Sequence, residues 1–220
     1  MTDLSGQNII GVVLAGGLSR RMEGPEKALM DLHGKPLLQR VCERLETQLP
    51  KVILNANGDP SRFSFMPNPV QADVIEGYAG PLAGLLSAMK WAKHNAPDAT
   101  RIITVAADTP FFPADLVNRF CETTENASKD QQDKTICLAY SDGNRHPVFG
   151  SWPISLFEPL KHFLVDENNR KVMLFAQRYN LKKVEFELFD IEDESIDPFF
   201  NINTPEDFNA AEKLLKRISA

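Results

Sequence analysis

The sequence predicts an α/β fold: a mostly parallel central sheet with helices on both faces. Two observations carry this reading. Short runs rich in Ile and Val alternate with segments whose apolar residues recur at helical spacing. The first and third runs, NIIGVVLA (residues 8–15) and RIITVAA (residues 101–107), are nearly continuous in apolar residues, as strands covered on both faces must be. Repetition of strand, helix and strand implies right-handed crossovers within one open sheet.

Taken in order, residues 8–15 form the first strand. Pro36 starts a helix whose Leu37, Leu38, Val41, Leu45 and Leu49 recur on one face. KVILNAN (residues 51–57) is the next strand. Pro81 opens a second helix, PLAGLLSAMKWA, with Leu82, Leu85, Leu86 and Met89 together. RIITVAA follows, then a shorter helix in PADLVNRFC from Pro113, a polar surface loop over residues 123–134, and the strand TICLAY (residues 135–140). Beyond residue 140 the rhythm changes. HPVFGSWP and KKVEFELFD read as strands, separated by helical SLFEPLKHFL and RKVMLFAQRY. The last helix starts at NTPED, with Thr204 as N-cap, Pro205 at its first position and Glu206 and Asp207 in its first turn. No repeat, low-complexity tract or Pro/Gly linker divides the chain, so one domain over residues 1–220 is expected.

Composition narrows the function. A hydrophobic fraction of 43% and a charged fraction of 25% suit a chain that buries a real core. The net charge of -6 gives no global basic field for nucleic acid or an anionic membrane. Cys42, Cys121 and Cys137 form no CxxC pair and read as buried small hydrophobes rather than a disulfide framework or zinc site. The start MTDLSGQNII lacks a basic region followed by a long apolar stretch, and no run approaches the ~18 apolar residues of a membrane span. A cytoplasmic protein is expected.

In open α/β sheets ligands bind outside the carboxyl ends of the strands. The first strand ends in VVLAGGLSRRMEGPEKAL (residues 12–29). Gly16 and Gly17 permit a tight turn whose N–H groups can face phosphate oxygens, while Arg20, Arg21 and Lys27 add positive charge. The spacing is neither GxxxxGK[ST] nor GxGxxG; a glycine turn before a solvated basic face accounts for the same letters. At the second end, Asn55 and Asn57 can read a base or ribose, though Asn also forms turns. Asp108, after the third strand, suits Mg²⁺, which bridges one or two carboxylates to substrate phosphates; a turn cap is the plainer role. Asp73 precedes the Gly- and Pro-containing loop into the second helix and taken singly is an ordinary loop aspartate. His33, His94 and His162 have no metal-spaced partner. His146, beside Arg145 at a strand start, suits a second-substrate contact or a structural hydrogen bond equally. The phenylalanines between Phe186 and Phe200 read as core, since no basic residues interleave them.

LAGGLSRRM…K, NAN, D…GPLAG, ADTPFFP, RHPVFGSWP and FFNINTPED stand in the order seen in molybdenum cofactor guanylyltransferases, which the chain resembles over roughly residues 8–212. The first motif marks only the wider nucleotidyltransferases; GPLAG and NINTPED narrow it. The resemblance implies a Rossmann-like nucleotidyltransferase fold that joins GMP from GTP to molybdopterin and releases pyrophosphate. It implies that Leu14, Ala15 and Gly16 line the GTP site and that Lys27 contacts its phosphates; on charge alone, Arg20 or Arg21 would join Lys27 in cradling them. Asn55 and Asp73 would hold guanine or ribose, and Asp108 would hold Mg²⁺. Arg145, His146, Asn201 and Asn203 would stand on the pterin side. Residues 1–140 then form the GTP-binding part and residues 141–220 the acceptor part. Transient contacts with other cofactor-pathway proteins and molybdoenzymes are also implied.

Two positions depart from the family pattern: Glu23 stands where glycine is common, and Glu26 where aspartate is. Glycine at the second position of AGG, where cytidylyltransferase relatives carry alanine, leaves room for a purine. A related enzyme using CTP or a sugar-phosphate acceptor, or a nucleotide-binding regulatory module without turnover, remain the alternative readings.

Overall fold

The computed structural model describes residues 8–15, 27–75, 77, 80–125, 128–192 and 194–218. The expected phosphate loop, including Gly16, Gly17, Arg20 and Arg21, lies outside these residues, as do Glu23 and Glu26.

The elements run β1 (Ile9–Leu14), α1 (Leu37–Glu46), β2 (Val52–Asn55), β3 (Val70–Gln71), α2 (Pro81–Asn95), β4 (Arg101–Ala106), α3 (Leu116–Glu125), α4 (Lys129–Gln132), β5 (Thr135–Ser141) and β6 (Asn144–Pro153). There follow α5 (Phe157–Val165), α6 (Val172–Ala176), β7 (Asn180–Phe186), β8 (Phe189–Ile191), β9 (Glu194–Ile196) and α7 (Pro205–Ile218). Seven strands form one sheet in the order β3-β2-β1-β4-β6-β5-β7. Only β6 among them runs antiparallel to its neighbours. β5 therefore points the same way as β1 and β4, and Leu14, Asn55, Ala106 and Ser141 all end strands at one edge.

Alternate residues of β1 enter two separate cores, which is why the run is apolar throughout. Ile9 and Val13 pack with Val41 and Leu45 of α1, and Ile10 and Val12 pack with Leu85 and Met89 of α2. Helices on both faces are thus as expected. A third cluster, including Leu32, Leu37, Phe111, Ile202 and Leu214, seats α7.

The expected loop over residues 123–134 is wrong at its start, because α3 continues to Glu125 and the turn α4 follows. Thr123 and Thr124 donate their hydroxyls back to the carbonyls of Arg119 and Phe120, four residues earlier. These threonines satisfy themselves on their own helix instead of terminating it. The phenylalanine reading holds: Phe186 and Phe199 are buried in the core. Among the described residues no helix is long and apolar enough to cross a membrane.

All three cysteines are free and buried. Burial pushes the Cys121 thiol up to about 12 and raises Cys42 and Cys137 as well. A raised thiol stays protonated and unreactive at neutral pH. The native protein is therefore expected to give no rapid reaction with a thiol reagent at pH 8, and all three cysteines to react in guanidinium. A fast-reacting thiol in the native state would contradict this packing.

Candidate active site

The site is built where parallel strands end. Ala15 follows β1 and donates its N–H to the Asn55 carbonyl at 2.8 Å, which ties the first strand end to the second. Ala107 donates to the Leu14 carbonyl at 3.2 Å, tying in β4 and placing Asp108 one residue farther on. Lys27 sits on a single helical turn, Lys27–Leu29, after the first loop.

Three distant parts of the chain meet at Lys27. Its Nζ donates to Asp108 Oδ2 at 2.8 Å and to Asn203 Oδ1 at 3.0 Å. The Lys27 and Asp108 side chains are 16% and 27% exposed, so the pair is sheltered yet open to a ligand. The C-terminal motif is fastened from below: Ile202 N–H donates to the Asp108 carbonyl at 2.9 Å, and Thr109 Oγ1 donates to Asn201 Oδ1. Asp207 closes the start of α7, accepting from the N–H groups of Asn203 (2.9 Å) and Thr204 (2.8 Å) while Thr204 Oγ1 accepts from Asp207 N–H. Those N–H donors, Asn203's foremost, hold the Asp207 carboxyl below its ordinary value, with the Lys27 charge adding to them. Thr204 is the N-cap that the sequence predicts.

A second cluster forms at the end of β2. Asn55 Nδ2 donates to the Gln71 carbonyl (3.1 Å) and to Asp73 Oδ1 (3.0 Å), and Asn57 Nδ2 donates to Asp73 Oδ2 (2.8 Å). Asn57 Oδ1 accepts from Asp73 N–H at 2.8 Å. Asp73 is thus held through both oxygens. Asn55 itself is buried at 3% exposure, with its side-chain amide donating to Gln71 and Asp73. Gly80, with φ of +133°, turns the chain into α2 as a residue with a Cβ would do only under strain. Ser87 of α2 accepts from the Val74 N–H at 2.9 Å and so braces the same loop.

Arg145 and His146 separate. The turn Asp142–Gly143, both with positive φ, joins β5 to β6 and leaves Arg145 exposed. His146 turns inward: its Nε2 lies 2.6 Å from Ser141 Oγ and its ring stacks on Phe199, with centroids 4.3 Å apart. Burial pulls the His146 pKa below its ordinary value against the opposing charges of Asp197 and Glu185.

Of the residues singled out from sequence, Lys27, Asp108, Asn201 and Asn203 converge, and Asn55 and Asp73 converge beside Leu14. Gly16 and Arg20 lie outside the described residues. Sequence reasoning placed Asp207 in the first turn of the last helix but missed Thr109, Ser141 and Asp197. The Asp-Gly pair between two alternating runs was a usable hairpin signal for Ser141; the others become visible only through their partners.

The MobA-like NTP transferase domain family matches residues 11–181. A molybdenum cofactor guanylyltransferase of Mesorhizobium japonicum is 44% identical over 214 residues, 97% of this chain and 99% of that protein. A crystal structure of molybdopterin-guanine dinucleotide biosynthesis protein A from Archaeoglobus fulgidus superposes with a TM-score of 0.69 at 23% identity, covering 95% of this chain and 99% of that one. The Mycobacterium tuberculosis protein Rv0371C, in complex with manganese, superposes with a TM-score of 0.64 at 16% identity, over 94% and 99% of the two chains. The family model and the Mesorhizobium japonicum relative settle the family: the chain belongs to the MobA-like NTP transferases and, among them, to the molybdenum cofactor guanylyltransferases.

Proposed function

We propose that this protein transfers GMP from GTP to molybdopterin, forming the guanine dinucleotide cofactor and releasing pyrophosphate. The meeting of Lys27, Asp108 and Asn203 at the strand ends carries the reading, in a chain 44% identical to a guanylyltransferase.

A phosphate oxygen of the acceptor attacks the α-phosphorus of GTP. The new P–O bond forms as the bond from that phosphorus to the bridging oxygen breaks, and its electron pair leaves on pyrophosphate. Both reactants are anions, so alignment and charge neutralisation supply most of the rate. Lys27 presents its ammonium to the triphosphate. Asn203 and Asp108 aim that ammonium, since each already holds one of its protons. Gly16 and Arg20, outside the described residues, are assigned to the GTP phosphates with Lys27, Gly16 by the family resemblance and Arg20 by its charge, and Leu14 and Ala15 to the lining of the GTP site. Asp73 takes the guanine or ribose, and Asn55 and Asn57 fix its rotamer. Exposed Arg145 faces the acceptor.

The donors beside Lys27 suit a hard cation. Asp108 offers a carboxylate, and Asn201 and Asn203 offer amide oxygens, while among the described residues no group of three or more His, Cys, Asp or Glu side chains could hold a metal. A site with one carboxylate fits Mg²⁺, which takes its remaining ligands from water and substrate phosphates. The manganese complex of the Mycobacterium tuberculosis neighbour supports a divalent ion here. When bound on Asp108, Mg²⁺ supplies positive charge to the phosphates that exchange bonds.

The test is direct. Purified protein incubated with molybdopterin and Mg·GTP should yield a guanine dinucleotide and one equivalent of pyrophosphate, resolved by chromatography. Equal yields with CTP or ATP, or no dinucleotide, would overturn the assignment.

A further inference from the structure

We infer that Ser141, His146, Asp197 and Phe199 form a clamp that sets Asn203 against Lys27, so that His146 is a positioning residue for the nucleotide side and not an acceptor contact. The inference rests on the reading that Lys27 and Asn203 serve the triphosphate.

The clamp begins at a hydroxyl with one proton. Ser141 Oγ, fully buried at the end of β5, donates to Asp197 Oδ1 at 2.8 Å. Its proton being spent, Ser141 accepts from His146, and the network assigns the Nε2–H tautomer to that ring. Asp197 Oδ1 also accepts from the Phe199 N–H at 2.9 Å, which bends the chain so that Phe199 enters the core. There Phe199 lies flat on His146, its ring plane inclined by 21°, and edge-on to Phe149 and Phe186 at 4.9 and 5.4 Å. One face of the imidazole and its donor nitrogen are therefore occupied, and the side chain keeps 13% exposure.

The next residues carry the position forward. Asn201 and Ile202 bind Thr109 and Asp108, and Asn203 reaches the Lys27 ammonium. The segment from Asp197 to Asn203 is thus pinned at both ends, at the end of β5 and beyond the end of β4. Loosening the first pin lets the segment shift, and a shift of the order of 1 Å is enough to misplace an aligned group. Contact with an acceptor would leave the imidazole open and GTP binding indifferent to it.

The discriminating measurement needs no acceptor. Binding of a fluorescent GTP analogue with Mg²⁺ is compared for wild type, Ser141→Ala, His146→Ala, Asn203→Ala and the two doubles that combine each clamp change with Asn203→Ala. Ser141→Ala and His146→Ala should each weaken binding about tenfold, the scale of one lost hydrogen bond. In the Asn203→Ala background the same changes should cost less than ~2-fold, because the link they act through is already cut. Unchanged GTP affinity, with a raised KM for molybdopterin in His146→Ala, would overturn the clamp in favour of direct acceptor contact. Effects that multiply with Asn203→Ala, or a lower melting temperature alone, would overturn it too. Ser141→Ala removes a single oxygen and keeps the test usable if His146→Ala fails to fold. A protein that binds GTP in this pattern yet transfers no GMP would refute the proposed reaction and leave the clamp standing; one that binds no GTP refutes both.

Discussion

Lys27→Ala and Asp108→Ala are each expected to lower GMP transfer at least ~100-fold while the protein remains folded, since one preorganised electrostatic donor is worth roughly that much in a phosphoryl-type transfer. The two losses differ in origin. Without Lys27 the triphosphate loses an ammonium and meets the Asp108 carboxylate that the ammonium had neutralised at 2.8 Å. Without Asp108 the ammonium keeps, among the described residues, Asn203 as its guide. Because the pair acts as a unit, the double variant should fall well short of the product of the singles. The fold should persist with a lowered melting temperature, because removing one partner of a pair this sheltered leaves the other's charge uncompensated. Single-turnover rates and melting curves on the same preparations check both halves. A rate near that of wild type in either variant would remove that residue from the mechanism.

The legible part of this protein is the part set by local periodicity. Apolar runs such as residues 101–107 announced strands buried on both faces, and Pro36, Pro81 and Pro205 stand at or next to the starts of helices. Lys27 and Asp108 were legible as unusual polar residues at strand ends. Their contact was not, because 81 residues separate them and only the parallel pairing of β1 with β4 closes the gap. Asn55 was legible as an amide at a strand terminus, but its pairing with Asp73, 18 residues on, was not, because only the fold brings the two together. In the sequence His146 suits a second-substrate contact or a structural hydrogen bond equally; the fold supplies such a bond with Ser141 and stacks the ring on Phe199, neither of which the sequence could identify as a partner. The limits of α3 were missed because threonine counts against a helix until its hydroxyl is seen to find its own helix carbonyl.

Gly84→Ala is the second change expected to have a large effect, and it runs against helix propensity. Gly84 lies inside α2, where alanine would favour the helix by about 1 kcal/mol. A Cβ there would sit 2.2 Å from Asn55 Oδ1 and 2.8 Å from Leu14 Cδ2. Neither neighbour has an easy retreat: Leu14 ends β1 and packs against the α2 core, and buried Asn55 is held by Gln71 and Asp73. Either α2 moves off the sheet or Asn55 rotates and releases Asp73, and overpacking of this kind costs about 1–3 kcal/mol. GTP should therefore suffer first, with kcat/KM for the nucleotide down at least ~30-fold and the melting temperature lowered. Adding Asn55→Ala makes room for the new methyl and should restore much of the melting temperature. It should not restore GTP affinity, because Asp73 then lacks one of the two amides that orient it. A Gly84→Ala protein with the melting point and GTP KM of wild type would show that α2 does not press on the strand ends as closely as 2.2 Å implies.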